Sequence, residues 1–533
     1  MHVNIFVYTK EIKMNALTTI NRKTTAQTSK AKKGQKPNNA GGFSFKVDDT
    51  ARLERFMVLG TDGGTYYVSE KTLTDDAMKF LTKMVKKDAQ LVADVAVNVS
   101  VTGRAYRNSP AIFAAAVLMV DGDDKALARY AFNKIVRTST HLFEYAQYID
   151  NLGGWGRAKR KAVASWYEDK DANKLAYQLV KYRQRNGWTH RDLLRLSHPK
   201  ELNAAIAPFA LRGEVTVESP DLLYGYDAMT KVKSVNGVLS VLDGYPNLPW
   251  ETVPTQYLND ALVWKQLFAN GQLRGQNAIR NVGRLNKIGA FNDMVFAREF
   301  ANVITDPENI KVSRLHPINY LNAICANRTD SYYGNRETSL KPIINDALND
   351  GFHAAFEFVE PANKRTLLGL DVSGSMNWGP CNGMAATPAE AGAAMAMTFA
   401  RTEPYYDIMG FSTKFVDLGI SPSMNLDQVM AKTSRQTFGG TDCALPMEWA
   451  LKNRVEIDHF CVITDNETWA GRIHPYQALR QYSDAMGIDA KVSVLGMTST
   501  GFSVADGSPN MLDVVGFDTN TPNIVADFAA GRL

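Results

Sequence analysis

Residues 364–375 read KRTLLGLDVSGS, a short apolar run that breaks off into Asp371-Val372-Ser373-Gly374-Ser375. A run of this length bounded by turn residues reads as a buried strand, with the loop at its carboxyl end following. Comparable runs recur downstream as YDIMGFS (406–412), DHFCVITDN (458–466) and AKVSVLGM (490–497). Helical stretches separate them: TPAEAGAAMAMTFAR (387–401), LPMEWALKNR (445–454) and PYQALRQYSDAMG (475–487). This alternation predicts a doubly wound α/β domain over residues 360–533, with a mainly parallel sheet and helices on both faces. Ligands of such sheets gather at the carboxyl ends of the strands.

Chemistry is concentrated at those ends. Asp371, Ser373 and Ser375 are short oxygen-bearing side chains spaced two apart on a glycine-assisted loop, a set able to converge on one hard divalent cation. FGGTDCALP (438–446) adds Thr441 in a glycine loop before a helix, and CVITDNE (461–467) adds Asp465 at the end of another strand. Few carboxylates and several neutral hydroxyls favour Mg²⁺ over Ca²⁺, since Mg²⁺ keeps waters. The bland alternative is that these Ser and Thr residues cap helices or close turns. A serine-nucleophile reading is poorer: neither serine lies in a G-x-S-x-G elbow, and no histidine near the strand ends offers an obvious base.

Upstream, from about residue 43 to 340, apolar residues recur at three and four positions, in AIFAAAVLMV, THLFEYAQYI, ANKLAYQLVKY and NDMVFAREFANVI among others. Short breakers such as NSP, GDD and NLGGWG separate them, so a string of antiparallel helix pairs is expected, an α-solenoid of HEAT-like type. Residues 1–40, ending in SKAKKGQKPNNAGG, are Lys-, Thr- and Asn-rich with few aromatics and read as a flexible basic tail. Translation beginning at Met14 is a further possibility for this end. The expected organisation is a tail at 1–40, a helical domain at 41–345 and the α/β domain at 360–533.

At 533 residues the chain exceeds one ordinary core. No stretch approaches the ~20 apolar residues of a membrane span. The four cysteines, Cys325, Cys381, Cys443 and Cys461, have no C-x-x-C spacing, which argues against a zinc site or disulfide framework and fits a reducing cytoplasm. The net charge of +5 conceals an asymmetry: residues 361–533 hold 12 Lys and Arg against 18 Asp and Glu, a net of −6, leaving +11 on residues 1–360. A polyanion is the natural partner of the basic half.

The densest basic region is residues 154–200, GWGRAKRKAVASWYEDKDANKLAYQLVKYRQRNGWTHRDLLRLSHPK. Lys181 and Arg185, four apart, are expected to share a helix face, and Arg191, Arg195 and His198 form a second strip if a helix runs that far. Arg157, Arg160 and Lys161 form a third. Cations on rigid helices suit a phosphate backbone, and the interleaved Trp155, Trp166, Tyr182, Trp188 and His190 could stack exposed bases. The competing reading puts the aromatics in the core and leaves the cations as solvated surface, with His190 and His198 as caps or core hydrogen-bonders.

Segments 41–70 (GGFSFKVDDTARLERFMVLGTDGGTYYVSE), 107–119 (RNSPAIFAAAVLM), 140–149, 154–167, 181–200 and 248–255 (LPWETVPT) resemble, in order, the TROVE module of the Ro ribonucleoprotein family, and the chain looks like a bacterial or phage member. The α/β domain is similar to the von Willebrand A-type domain that follows the module in that family. The resemblance makes Asp371, Ser373, Ser375, Thr441 and Asp465 a metal-ion-dependent adhesion site, whose open position commonly takes a partner's carboxylate. It implies a closed helical ring, shut by contact between its first helices and the A-type domain. It also implies binding of small noncoding Y-like RNA on the outer rim and of the single-stranded 3′ end of misfolded RNA through the hole. Lys181, Arg185 and His198 fall where the family makes outer RNA contacts; Arg157, Lys161 and Arg191 are added on charge and proximity, and Arg280 and Arg284 could face the hole.

The expected function is a non-catalytic RNA-binding scaffold for RNA quality control, beside which an exoribonuclease partner is plausible. A ring made from one chain needs no symmetry partner, so a monomer is expected. The rival readings are a metal-dependent protein-binding adaptor working through the A-type domain and, more weakly, a metal-dependent nuclease. One hydroxyl-rich cation site is poor equipment for two-metal phosphoryl chemistry.

Overall fold

The computed structural model describes residues 24–60, 70–105, 107–327, 339–356, 360–377, 386–433, 439–497, 501–515 and 521–532. The chain divides into two compact units, one made of residues 78–315 and 327–354, the other of residues 1–77, 316–326 and 355–533.

The first unit is helical. Its helices include Ala89–Thr102, Ser109–Asp121, Lys125–Ile135, Ser139–Asn151, Arg157–Glu168, Ala172–Lys181, His190–Ser197, Asp221–Thr230, Gly275–Lys287 and Met294–Thr305. Local sequence explains where many begin: Asp88, Asp124, Thr138, Asp171, Thr189, Ser234, Asp260, Asp293 and Asp306 each accept a backbone N–H of the first turn. Alanine-rich buried faces, as in Ser109–Asp121, allow close packing between neighbours. The array returns on itself within this unit, because Arg314 Nη1 donates to the Val101 carbonyl at 2.8 Å across 213 sequence positions.

The second unit is built on a six-stranded sheet. Its strands are β5 (Thr366–Asp371), β6 (Tyr406–Phe411), β7 (Phe415–Asp417), β8 (His459–Thr464), β9 (Lys491–Gly496) and β11 (Met511–Val515), in the spatial order β11-β9-β8-β5-β6-β7. All pairs are parallel except β6 with β7. Helices cover both faces. Phe460 and Val462 enter a core with Met447, Leu479 and Tyr482, from helices Leu445–Asn453 and Pro475–Met486. Ile463 points the other way, where a Cβ at Gly392 of helix Pro388–Thr402 would lie 3.0 Å from its Cγ2. The doubly wound α/β expectation is met, and the order of β8, β5 and β6 puts the topological switch point at the carboxyl ends of β5 and β8.

The expected tail needs correction over residues 24–40. Strands β1 (Gln35–Pro37) and β2 (Phe43–Lys46) pair with each other, and β2 pairs with β10 (Phe502–Ser503), so this segment is part of the A-type unit. Helix Asp49–Leu59 follows it onto the same unit, where the fully buried Arg55 pairs with Asp513 and donates to the Phe502 carbonyl at 2.8 Å. That is the contact anticipated between the first helix and the A-type domain. Helix Pro317–Asn327 also leaves the helical unit, with Cys325 Sγ 3.9 Å from Met430 Sδ. The boundaries at 40/41 and 345/360 therefore mark sequence modules and not compact bodies. Residues 1–23 and Cys381 lie outside the described residues; Cys325, Cys443 and Cys461 are buried free thiols. Among the described residues, no helix is long and apolar enough to cross a membrane.

Candidate functional site

Two sites emerge, one on each unit. On the sheet, Asp371 closes β5 and Asp465 follows β8, so parallel pairing brings the two carboxylates to the switch point. Asp371 accepts from the Thr464 hydroxyl at 2.6 Å and from the Ser373 backbone N–H at 2.9 Å. The Ser373 and Ser375 hydroxyls lie 3.1 Å apart, and Ser375 hydrogen-bonds Asp465. Thr441 is buried on the adjoining loop, which its carbonyl joins to the Asp465 loop by accepting from Trp469 and Ala470 N–H at 3.0 and 2.9 Å. Four of the five expected ligands thus share one hydrogen-bonded cluster, and the fifth lies on the loop knitted to it.

The electrostatics of this cluster favour a cation. Burial, and then the Asp465 charge, push Asp371 well above the usual carboxylate range; burial pushes Asp465 up as well. The charge that acts most strongly on Asp371 is thus another carboxylate, and two buried like charges are what a divalent ion would neutralise. Among the described residues no group of three or more His, Cys, Asp or Glu is placed to hold a metal, so this donor set is of the mixed carboxylate and hydroxyl kind.

What sequence reading missed is the brace around this site. Gln27, wholly buried, donates to Asp442 at 2.7 Å and to the Ile473 carbonyl at 2.9 Å, and accepts from the Thr468 hydroxyl at 2.5 Å and Gly471 N–H at 3.2 Å. Asn38 donates to the Thr468 carbonyl at 2.8 Å. Asn39 N–H and side-chain amide donate to the two oxygens of Glu467 at 2.9 and 2.7 Å. Glu467 is buried two residues beyond Asp465 and is raised to about 7 by burial and by Asp465. Gly42 permits the close approach, since a Cβ there would overlap the Thr468 carbonyl oxygen. The only signal in the sequence was the turn chemistry of NNAGG (38–42). Replacing Gln27 by alanine should strand several buried groups of the Thr441 and Asp465 loops and cost about 3 kcal/mol. Denaturant unfolding would measure this, and a loss under roughly 0.5 kcal/mol, the range of ordinary surface changes, would refute the brace.

On the helical unit, Arg157, Arg160 and Lys161 are exposed on helix Arg157–Glu168, and Arg191 and Arg195 are exposed on helix His190–Ser197, which packs against it. His198 is exposed as the left-handed cap of the latter helix. Each of these two packed helices thus carries exposed cations. Arg185 is exposed too, but not on a helix shared with Lys181. Helix Ala172–Lys181 stops at Lys181, and Arg185 lies in a two-stranded hairpin of β3 (Gln184–Arg185) and β4 (Trp188–Thr189). Asn186 and Gly187, both at positive φ, turn the hairpin.

Two expected RNA contacts are corrected. The Lys181 side chain is only 9% exposed; its Nζ donates to Tyr177 Oη at 3.0 Å and lies 4.0 Å from Glu251. His190 is buried, with Nδ1 2.9 Å from Tyr167 Oη and Nε2 3.0 Å from the Tyr182 carbonyl, and its ring stacks on Trp166. Trp166 is buried as well, donating to the Val136 carbonyl at 2.9 Å. Trp155 and Trp188 are half-buried and meet edge to face. Arg280 and Arg284 are exposed on helix Gly275–Lys287.

Burial depresses the His190 pKa to about 4. Its neutral form is the folded form, so its contribution is fully present above the unfolded value near 6.5 and is lost as pH falls from there through about 4. That shift is worth about 3 kcal/mol. His190→Gln, which takes up no proton, should lose less stability between pH 7 and 4 than the parent; equal losses in urea unfolding would refute the assignment.

A basic helical array and an A-type sheet carrying a buried cluster of carboxylates and hydroxyls at its strand ends define a class of proteins that joins a TROVE domain to a von Willebrand A-type domain. The TROVE domain family matches residues 36–231 and 247–357, and the Ro60 vWA domain family matches residues 365–529. The chain belongs to the Ro60 family. It is 40% identical over 533 residues to the RNA-binding protein RO60 of Deinococcus radiodurans, covering 97% of this chain and all of that protein. To the RNA-binding protein RO60 of Caenorhabditis elegans it is 31% identical over 602 residues, covering 95% and 92%. The crystal structure of the Deinococcus radiodurans RO (RSR) protein matches with a TM-score of 0.68 and 38% identity, over 91% of this chain and 100% of that one.

Proposed function

We propose that this protein is a non-catalytic, cytoplasmic RNA-binding scaffold that forms a ribonucleoprotein with a small noncoding Y-like RNA. On this reading it also holds the single-stranded 3′ ends of misfolded RNAs for quality control, with an exoribonuclease as a partner. The observation that carries the reading is the exposure of Arg157, Arg160, Lys161, Arg191 and Arg195 on two packed helices. Cations held on a rigid surface at this density attract a phosphate backbone without base readout. Full-length relatives named as RNA-binding proteins support it further.

The A-type domain contributes a second surface. Asp371, Ser373, Ser375, Thr441 and Asp465 would hold Mg²⁺, and the ion would supply a Lewis-acidic position for an acidic side chain of a partner protein. That arrangement favours an adaptor as the alternative reading. A salt-titrated binding assay separates the two, using a Y-like hairpin, a misfolded RNA with a 3′ tail and the same RNA made blunt. Salt-sensitive binding with preference for the tail is expected. Equal affinity for tailed and blunt RNA would remove the 3′-end role, and no RNA binding at low salt would leave the adaptor.

A further inference from the structure

Within the A-type unit, the turn Asn38–Gly42 of the N-terminal segment ends on one side chain. Asn39 N–H, the Asn39 side-chain amide and Ala40 N–H donate to Glu467 at 2.9, 2.7 and 3.3 Å. We propose that Glu467 is a reserve ligand of the cation site, held off by this turn, and that the turn thereby sets which divalent ion the site prefers. The proposal rests on the reading of Asp371, Ser373, Ser375, Thr441 and Asp465 as a Mg²⁺ site and deepens it by naming what decides the ion.

The backbone places Glu467 for that role. Its N–H donates to Asp465 Oδ1 at 3.0 Å, so it leaves the same loop as an expected ligand, two residues on. It is wholly buried, and a buried carboxylate is costly unless a cation lies beside it. Among the described residues no lysine or arginine pairs with it, and its donors are the neutral amides of Asn39 and Ala40. The protein has therefore buried a third carboxylate next to Asp465 and answered it with hydrogen bonds alone. A divalent ion is the partner that such a group lacks.

The turn is built to stay in place. Asn38 N–H donates to the Gly42 carbonyl at 2.8 Å, Asn38 Oδ1 accepts Gly42 N–H at 2.8 Å, and Gly41 takes a φ of 87°. Gly42 lies so close to the Asp465 loop that a Cβ there would overlap the Thr468 carbonyl oxygen and stand 2.9 Å from the Trp469 Cα. Both of those contacts are backbone, so even alanine would push the turn and the loop apart. The ions differ in what such a movement gives them. Mg²⁺ needs a compact octahedral set, with few carboxylates and retained waters, whereas Ca²⁺ accepts six to eight oxygens, bidentate carboxylates among them. With the turn docked, the site offers two carboxylates and three hydroxyls. With the turn displaced, Glu467 adds a third carboxylate, from which Ca²⁺ gains more.

The test is calorimetric titration of the full-length protein with Mg²⁺ and, separately, with Ca²⁺. It compares the wild type with Asn39→Ala, Gly42→Ala, Glu467→Gln and Asn39→Ala/Glu467→Gln. Asn39 is exposed, so its alanine variant keeps the test open should Gly42→Ala misfold. The wild type should bind Mg²⁺ at least as tightly as Ca²⁺. Each turn variant should move the ratio of the two affinities about 10-fold toward Ca²⁺, the lower end of what changes beside a metal's ligands do to affinity. Glu467→Gln alone should leave the ratio near the wild-type value, and the double variant should return to it. Mere loosening of the loop would not produce that non-additivity. If the turn variants weaken both ions equally or leave the ratio unmoved, or if the double variant keeps the shift, Glu467 is not a reserve ligand and the Mg²⁺ reading stands. If the wild type binds neither ion, the Mg²⁺ reading itself fails and the proposal falls with it.

Discussion

Asp465→Asn should leave the protein unable to gain thermal stability from Mg²⁺, and should at the same time make the metal-free protein more stable than its parent. Both effects follow from one arrangement. Asp371 and Asp465 are buried together; burial raises the proton affinity of both, and the Asp465 charge raises that of Asp371 further. Asparagine keeps the shape but removes one of two like charges, which should relieve about 1–2 kcal/mol of repulsion. It also removes a ligand, and losing an inner ligand should exceed the 10–100-fold weakening typical of outer partners. The sign with pH is opposite to that of His190. Asp371 and Asp465 have folded values raised above their unfolded ones, so their contribution is present at low pH and is lost as pH rises through the raised value. Metal-free wild type should therefore weaken between pH 5 and 8 at this site, while Asp465→Asn should weaken less. Calorimetric melting with EDTA and with millimolar Mg²⁺ would check this. A variant that still melts higher with Mg²⁺, to the same extent as the parent, would overturn the site.

Charge reversal at the exposed cations of helices Arg157–Glu168 and His190–Ser197 should separate sharply from charge reversal at Lys181. Arg157→Glu/Arg191→Glu/Arg195→Glu changes exposed residues on two helices, so the fold should persist. RNA affinity should drop about 1,000-fold near 0.1 M salt, and the slope of log K against log salt should shrink by about 3, close to one for each phosphate no longer neutralised. Lys181→Glu should do something different. It would set a second carboxylate against Glu251 in a half-buried site, and breaking such a pair costs about 3–5 kcal/mol. Its loss of RNA binding would report unfolding, and Lys181→Glu/Glu251→Lys should restore the melting temperature. If the single Lys181 variant melts like wild type while losing RNA binding, Lys181 is a direct contact after all. If the triple variant keeps its affinity, RNA lies elsewhere.

That contrast shows where reading the residues stopped being sufficient. Lys181 and Arg185 are four apart, and on an unbroken helix they would share a face. The chain instead ends its helix at Lys181 and turns a hairpin on Asn186-Gly187. The Asn-Gly pair was a legible turn signal, outweighed by the helical period before it. His190 and Trp166 were offered to RNA as base-stacking groups, and the core took both, because an aromatic at helical spacing looks the same whether its face meets solvent or another helix.

The placement of the acidic and hydroxyl loops was more legible. Asp371-Val-Ser-Gly-Ser375 and Asp465 sit at the ends of apolar strands, and parallel sheets deliver strand ends to one edge, so local pattern nearly sufficed. The brace supplied by Gln27, Asn38 and Asn39 was illegible for a physical reason: a buried polar residue is paid for by partners hundreds of positions away, and nothing in its own neighbourhood marks it.

By itself the sequence determined the two kinds of module, the strand ends that carry the acidic and hydroxyl side chains, and the concentration of positive charge over residues 154–200, because periodicity and composition are local properties. Only the tertiary structure decided that residues 24–60 fold with the A-type domain, that His190 is buried and Lys181 half-buried while Arg157, Arg191 and Arg195 are exposed, and that Arg183 and Tyr226 border one cleft. Burial and long-range hydrogen bonding depend on which surfaces meet, and that is a property of the packed chain and not of any stretch of it.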